Sequence, residues 1–186
     1  MTSSTSVETA PISRLTTTYL RIPERSAFRS AFIEDDRLSI IEAREPSVPF
    51  YRFLYAAVGE PFGWTDRLKW SDDQLLDYLS GPCVRLFALH FRGTPIGYVE
   101  IDTEPDEESD SGAEIAYLGI FPEYHGRGYG KHLLSFGVTR AYEDGARGVW
   151  LHTCSLDGPY ALANYRARGF VPFRVDVKDF PGQPPT

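Results

Sequence analysis

At 186 residues, with 42% apolar and 24% charged side chains, the chain has the length and balance of one globular domain with a full hydrophobic core. A formal net charge of −7 argues against nucleic acid as a partner and mildly favours a cationic one, though an acidic surface also serves solubility alone. No apolar run approaches a membrane span and the opening MTSSTSVETAPIS lacks the apolar core of an export signal, so a cytoplasmic protein that engages no membrane is expected, with Cys83 and Cys154 as buried, reduced thiols.

Residues 1–13 are rich in Ser and Thr and read as a disordered tail, 14–177 as one domain and 178–186 as a flexible tail. The β-branched and aromatic content of 14–22 predicts a strand closed by Pro23, an addition that pairs within the sheet or across a homodimer. No clear pattern marks the segment to Asp36; 38–43 is a second strand. After Pro46, Phe50, Phe53, Leu54, Ala57 and Val58 fall at helical spacing, and Gly59 supplies a stop. The connector 60–70 is unusually aromatic, with Phe62, Trp64 and Trp70. Ser71-Asp-Asp-Gln74 is a capping box that opens a short helix with Leu75, Leu76 and Leu79 inward, ended by Gly81-Pro82. Strands at 84–91 and 95–103 follow, joined by the turn Arg92-Gly93-Thr94; the acidic run 104–112 reads as a solvated loop.

The stretch AEIAYLGIFPEYHGRGYGK, 113–131, reads as a strand ending in a pinched turn that opens a helix. Gly126, Gly128 and Gly130 leave backbone N–H groups unshielded at a helix N-terminus, where the helix dipole favours an anion such as phosphate. The helix continues on one face through Leu133, Leu134, Gly137, Val138 and Ala141 to a stop at Gly145. A strand over 148–154, a helix opening near Pro159 and running to Gly169, and a strand over 170–177 complete an α+β arrangement. It is a mixed sheet, antiparallel in its first half, with one parallel crossover between Ala113 and Cys154.

Two common phosphate motifs do not fit. In a P-loop a Ser or Thr would follow Lys131, but His132 stands there, and the dinucleotide fingerprint needs two residues before its third glycine, whereas these glycines alternate. His125-Gly126-Arg127-Gly128-Tyr129-Gly130 resembles instead the acyl-coenzyme A pyrophosphate loop of the GNAT superfamily of N-acyltransferases, Gln/Arg-x-x-Gly-x-Gly/Ala, departing from it at His125. The resemblance covers about 38–177. It is most specific in IAYLGIFPEYHGRGYG and WLHTCSLDGPYALANYRARGFVPF, which are similar to stretches of uncharacterised bacterial members.

That resemblance implies a sheet splayed between the strands at 113–120 and 148–154, with helices on both faces and acetyl-coenzyme A entering the splay. Main-chain groups of Leu118, Gly119 and Ile120 would pair with the pantetheine arm as an added strand does, Gly119 giving close approach. Amides of Gly126, Arg127, Gly128, Tyr129, Gly130 and Lys131 would hold the pyrophosphate, with Arg127 and Lys131 adding charge. Tyr165 stands at the tyrosine of the family's Tyr-x-x-x-Gly-Phe pattern, which protonates the leaving thiolate; a phenol holds its proton at neutral pH and gives it to a nascent thiolate.

Glu114 matches the position of a glutamate general base, and partial burial beside Ala116, Leu118 and Ile120 would raise its pKa. Its alternative is a carboxylate facing solvent or pairing with an arginine. Glu100 is a rival base or a handle for the acceptor ammonium, and Trp64 and Tyr117 are candidate acceptor contacts. An aromatic pocket from Trp64, Trp70, Tyr51 and Tyr55 competes with core packing of each ring. His152, on a buried strand, reads first as packed and hydrogen-bonded.

Two departures qualify the transfer of roles. The family's pantetheine-binding asparagine falls at Gly158, with Asp157 or Ser155 as substitutes, and a base used by ribosomal-type members falls at Thr153. The expected activity is acetyl transfer from acetyl-coenzyme A to a primary amine of a small molecule or protein, with no metal; the alternative is an acyl-coenzyme A sensor without turnover. The acceptor is not legible, because such loops vary while the cofactor site is reused.

Overall fold

A computed structural model of the chain describes residues 12–104 and 112–181; most of the acidic run after Glu104 and most of both tails lie outside them. Residues Arg92 (φ 50°) and Gly93 (φ 84°) both take left-handed backbone, the pair of positive angles that a tight hairpin turn requires. They join β3 (Val84–Phe91) to β4 (Thr94–Asp102), which pair antiparallel along their whole length. β2 (Leu38–Ala43) pairs with the outer edge of β3, and β5 (Ala113–Ile120) with the inner edge of β4. The antiparallel first half is as the sequence pattern predicts.

From β5 the chain passes through α3 (Tyr129–Glu143) to β6 (Val149–Cys154), which returns parallel to β5. α4 (Ala161–Ala167) then leads into β7 (Val171–Pro181). The strand β1 (Ile12–Arg21) lies between β6 and β7 and pairs antiparallel with both, so it pairs within its own sheet. The order among the described residues is β2-β3-β4-β5-β6-β1-β7. Strands β1 and β7 run beyond the expected limits of 14 and 177, because the backbone ladder continues from Arg14↔Asp179 to Ile12↔Pro181.

Two apolar layers sandwich the sheet. On one face, α3 brings Leu133, Leu134, Val138 and Ala141 against Val99, Ile101, Ile115 and Leu151, all buried. The opposite face carries α1 (Val48–Gly59) and α2 (Asp72–Leu79), packed through Leu54, Val58, Leu75 and Leu79 on Leu86 and Tyr98. Ser47 caps α1, and Ser71 and Gln74 form the reciprocal capping box that opens α2.

The inner faces of α1 and α2 differ from the expected ones. Phe53 and Leu76 face outward at 51% and 50% exposure, while Tyr51 and Tyr55 are buried in α1. The tyrosines go inside because their hydroxyls find partners there. Tyr51 donates to Glu100 at 2.8 Å, and Tyr55 accepts from the Arg67 amide at 3.4 Å. Cys83 and Cys154 are free thiols, half-buried instead of buried.

Residues 24–36, where no clear pattern is evident, form a strap across α3 and α4. Its amides at Ala31, Ile33 and Arg29 donate to Ser135 Oγ, His132 Nδ1 and the Arg168 carbonyl, respectively. No helix among the described residues is long and apolar enough to cross a membrane.

Candidate active site

Strands β5 and β6 are in register at two positions only, Ala113↔Val149 and Glu114↔Trp150. Beyond them the strands part, although β5 continues to Ile120 and β6 to Cys154. The edge of β5 that faces the gap therefore has main-chain groups without sheet partners from Ile115 onward, while its other edge is laddered to β4. An amide-bearing chain entering the gap can pair with Leu118, Gly119 and Ile120 as an extra strand would.

Gly119 also serves the packing of the opposite layer. A Cβ there would overlap Val58 Cγ1, so the bare backbone is what lets α1 lie against the sheet.

At the foot of the gap lies the glycine turn. His125 Nε2–H donates to the Ile120 carbonyl at 2.7 Å, so the residue that departs from the family loop ties the turn to the end of β5. Gly126 and Gly128 hold φ of 75° and 80°, angles that disfavour a side chain, and a Cβ at Gly126 would enter open space. Gly128 is the N-cap of α3 and has no side chain to bond the first amides of the helix. Arg127 and Lys131 are exposed; Arg127 lies over the Tyr124 ring, and the Lys131 side chain folds back beside Gly128. Gly130 and Tyr129 begin the helix, with the Tyr129 ring buried against Phe91, so only its main chain faces the turn. Free amides, a helix N-terminus and two nearby cations suit a diphosphate.

On α4, which follows β6, Tyr165 is 9% exposed, with its ring set edge-on against Phe170. Burial pushes the phenol well above its ordinary pKa, and the negative charge of Asp157 and the nearby Cys154 sulfur push it further. The hydroxyl thus keeps its proton at neutral pH. Among the described residues no hydrogen bond engages it.

The proposed substitutes for the missing asparagine are both occupied within the fold. Asp157 accepts from the Thr153 hydroxyl at 2.6 Å, the Cys154 amide at 2.9 Å and the Trp64 indole at 3.3 Å, and Ser155 Oγ accepts from the Thr16 amide.

Glu100 is fully buried on β4. It accepts from Tyr78 at 2.7 Å and Tyr51 at 2.8 Å, with Arg67 Nη2 at 3.4 Å. Its carboxyl is pushed up by burial, opposed by Tyr78, Arg67 and Tyr51. The aromatic cluster expected from Trp64, Trp70, Tyr51 and Tyr55 is arranged differently. Trp70, Tyr78 and Tyr117 surround the Arg67 guanidinium at 4.0, 4.2 and 5.4 Å. Trp64 and Tyr55 pack on the Tyr117 ring at 5.1 and 5.2 Å.

Glu114 sits at the last position where β5 pairs with β6. Ala116 is an extra residue opposite β4, since Glu100 pairs with Tyr117 and Ile101 with Ile115. This bulge reverses the alternation, so the Glu114 face continues through Tyr117 and Gly119, while Leu118 and Ile120 join the α3 core. The apolar neighbours expected for Glu114 therefore lie largely on the other side of the sheet. Its partner is His152, whose Nδ1 is 2.9 Å from Glu114 Oε1. No local pattern signals this pair, because the residues stand on separate strands and meet only where those strands diverge.

The profile of the acetyltransferase (GNAT) family matches residues 51–170. Among curated proteins, mycothiol acetyltransferase of Nocardia farcinica is 35% identical over 82 residues, 44% of this chain and 26% of that protein. Among solved structures, a GCN5-related N-acetyltransferase from Kribbella flavida superposes with a TM-score of 0.63 at 19% identity, over 93% of this chain and 60% of that one. An aminoglycoside acetyltransferase from an uncultured soil metagenomic sample superposes with a TM-score of 0.60 at 20% identity, over 72% of this chain and 88% of that one. The chain thus spans about a quarter of the curated relative and three-fifths of the Kribbella protein. At these identities the structural likeness establishes the fold alone.

Proposed function

From the premise that this chain belongs to the acetyltransferase (GNAT) family, we propose that it transfers an acetyl group from acetyl-coenzyme A to a primary amine by direct attack in a ternary complex. The observation that carries this reading is the pairing of β5 and β6 at two positions only, above a glycine turn that opens α3. Bound there, acetyl-coenzyme A supplies the acyl group already activated as a thioester.

The chain's own residues supply the rest. Amides of 126–131 hold the anionic end, and the free edge of β5 at Leu118, Gly119 and Ile120 aligns the arm. Tyr165 gives its proton to the departing sulfur, and Glu114 serves removal of the amine proton. Glu100, enclosed by Tyr51, Tyr78 and Arg67, shapes the acceptor side without touching the acceptor. Trp64 and Tyr117 line that side. Aminoglycoside and mycothiol acetyltransferases among the relatives support a small-molecule amine as acceptor. The acidic Asp66 and Asp157 near the gap favour a cationic one.

Calorimetry with acetyl-coenzyme A and thiol release with a panel of amines test the proposal. Turnover that falls about 100-fold in Tyr165→Phe with cofactor affinity unchanged supports it. Binding without turnover on any amine would make the protein an acyl-coenzyme A sensor, and absence of binding would overturn both readings.

A further inference from the structure

Between Trp150 and Cys154 on β6, the side chain on the same face is His152, and it spans the opening between the strands to reach Glu114 on β5. A carboxylate only accepts, so the 2.9 Å contact places the ring proton on Nδ1 and leaves Nε2 with its lone pair in the neutral ring. No hydrogen bond among the described residues engages Nε2. The histidine side chain is 45% exposed and the glutamate 20%, so a solute entering the gap meets the imidazole before the carboxylate.

The surroundings of the ring are specific. Tyr19 of β1 packs on it at 5.7 Å, and Trp150 flanks it on its own strand at 6.5 Å. Arg174 of β7 lies over the Tyr19 ring. Asp157, before α4, and Asp66, in the connector between α1 and α2, both act on its charge. Both loops thus come within electrostatic reach of the ring.

We infer that His152 Nε2 is the atom that takes the acceptor's proton, and that Glu114 is a positioning residue that fixes the tautomer and orientation of the ring. This deepens the acyl-transfer reading and rests on it. As the amine nitrogen bonds to the acyl carbon and the carbon–sulfur bond breaks, the N–H proton passes to Nε2 and the Tyr165 proton passes to sulfur. Solvent then carries the proton from His152 back to Tyr165, and the products are an amide and a free thiol.

The Glu114 hydrogen bond, followed by the charges of Glu114, Asp157 and Asp66, raises the proton affinity of the ring against the opposing effect of burial. A base of this kind works once deprotonated, so activity rises with pH through a value above that of an ordinary histidine.

The test is the pH profile of kcat/KM on two amines of different basicity, so that a limb common to both belongs to the protein. His152→Gln is expected to lower kcat/KM about 100-fold and remove the acid limb, with acetyl-coenzyme A affinity unchanged. Glu114→Gln is expected to keep the limb but move it to lower pH, because the carboxylate that raises the ring's proton affinity is gone. A profile in which Glu114→Gln removes the limb and His152→Gln leaves it in place would overturn the assignment and make Glu114 the base. Turnover in the native protein with neither variant moving the limb would overturn this inference alone. A native protein that turns over no amine would overturn the acyl-transfer reading and this inference together.

Discussion

The Trp64 indole N–H donates to the Asp157 carboxylate at 3.3 Å, joining the connector above the acceptor side to the loop that leads into the Tyr165 helix. The two anchors have different local causes. Asp157 is held from below by the Thr153 hydroxyl and the Cys154 amide, and Trp64 is held by ring contacts with Tyr55 and Tyr117. A side chain on Gly158 would meet the Phe62 ring, so the glycine leaves room for that ring between the loops.

Trp64→Phe keeps the ring contacts and removes the bond. A hydrogen bond to a charged group contributes about 1.5 kcal/mol, so the acceptor KM is expected to rise about tenfold. Acetyl-coenzyme A affinity should stay constant, because Asp157 keeps its bonds to Thr153 and Cys154. Loss of cofactor affinity with an unchanged acceptor KM would show that this contact serves the other side of the site.

Glu100→Gln tests the enclosed carboxylate. The substitution conserves shape but leaves the largely buried Arg67 guanidinium without its negative partner and two tyrosine hydroxyls with a weaker acceptor. Breaking a buried pair on one side costs about 3 kcal/mol. For a chain of this size that corresponds to a fall in Tm of about 6–12 °C, readable by calorimetry. A Tm within 1–2 °C of the native protein, roughly the shift of a neutral surface change, would mean that the network contributes little.

Much of the frame was legible because its signals are local. The Ser71/Gln74 capping box, the Arg92-Gly93 turn and the glycine turn before α3 each write their geometry into a few adjacent residues. The parallel β5-α3-β6 crossover follows from strand, helix and strand in sequence with no room for another path. What stayed hidden depends on partners far along the chain. Hydrophobic periodicity placed Phe53 and Leu76 inside because it scores a tyrosine as less apolar, and it cannot see that Glu100 waits to receive the Tyr51 hydroxyl. The extra residue at Ala116 has no signature in an alternating pattern, yet it moves Leu118 and Ile120 away from the face of Glu114. His152 read as a packed residue because its partner lies on another strand. Asp157 looked free for a ligand until the fold brought Trp64 to it.

Gly119→Ala separates packing from cofactor approach. The new methyl would overlap Val58 Cγ1 on α1, and overpacking of this kind costs about 2 kcal/mol, a fall in Tm of about 4–8 °C. Val58→Ala in the same chain opens the space again, so the double variant should recover most of the loss relative to Val58→Ala alone. Acetyl-coenzyme A affinity in the double variant should match the native value, since the main chain of β5 still faces the gap. A double variant no more stable than the sum of its single losses would rule out this contact as the reason for glycine.

The strap over α3 should respond to pH through His132. Its Nδ1 accepts the Ile33 amide at 3.0 Å, which requires an unprotonated nitrogen, and burial lowers the pKa of the ring. A base with a depressed pKa in the folded state gives its full stabilisation above the unfolded value of about 6.5 and loses it as pH falls through the lower folded value. Amide exchange at Ile33, corrected for its intrinsic pH dependence, is therefore expected to lose protection as pH falls below the ordinary histidine value of about 6.5. The Ala31 amide, bonded to Ser135 Oγ, should follow to a lesser degree because that acceptor does not titrate. His132→Phe should weaken Ile33 protection at pH 7.5 and remove its dependence on pH. Protection that is flat from pH 7.5 to 5 in the native chain would show that the strap is held by its apolar contacts and not by the imidazole.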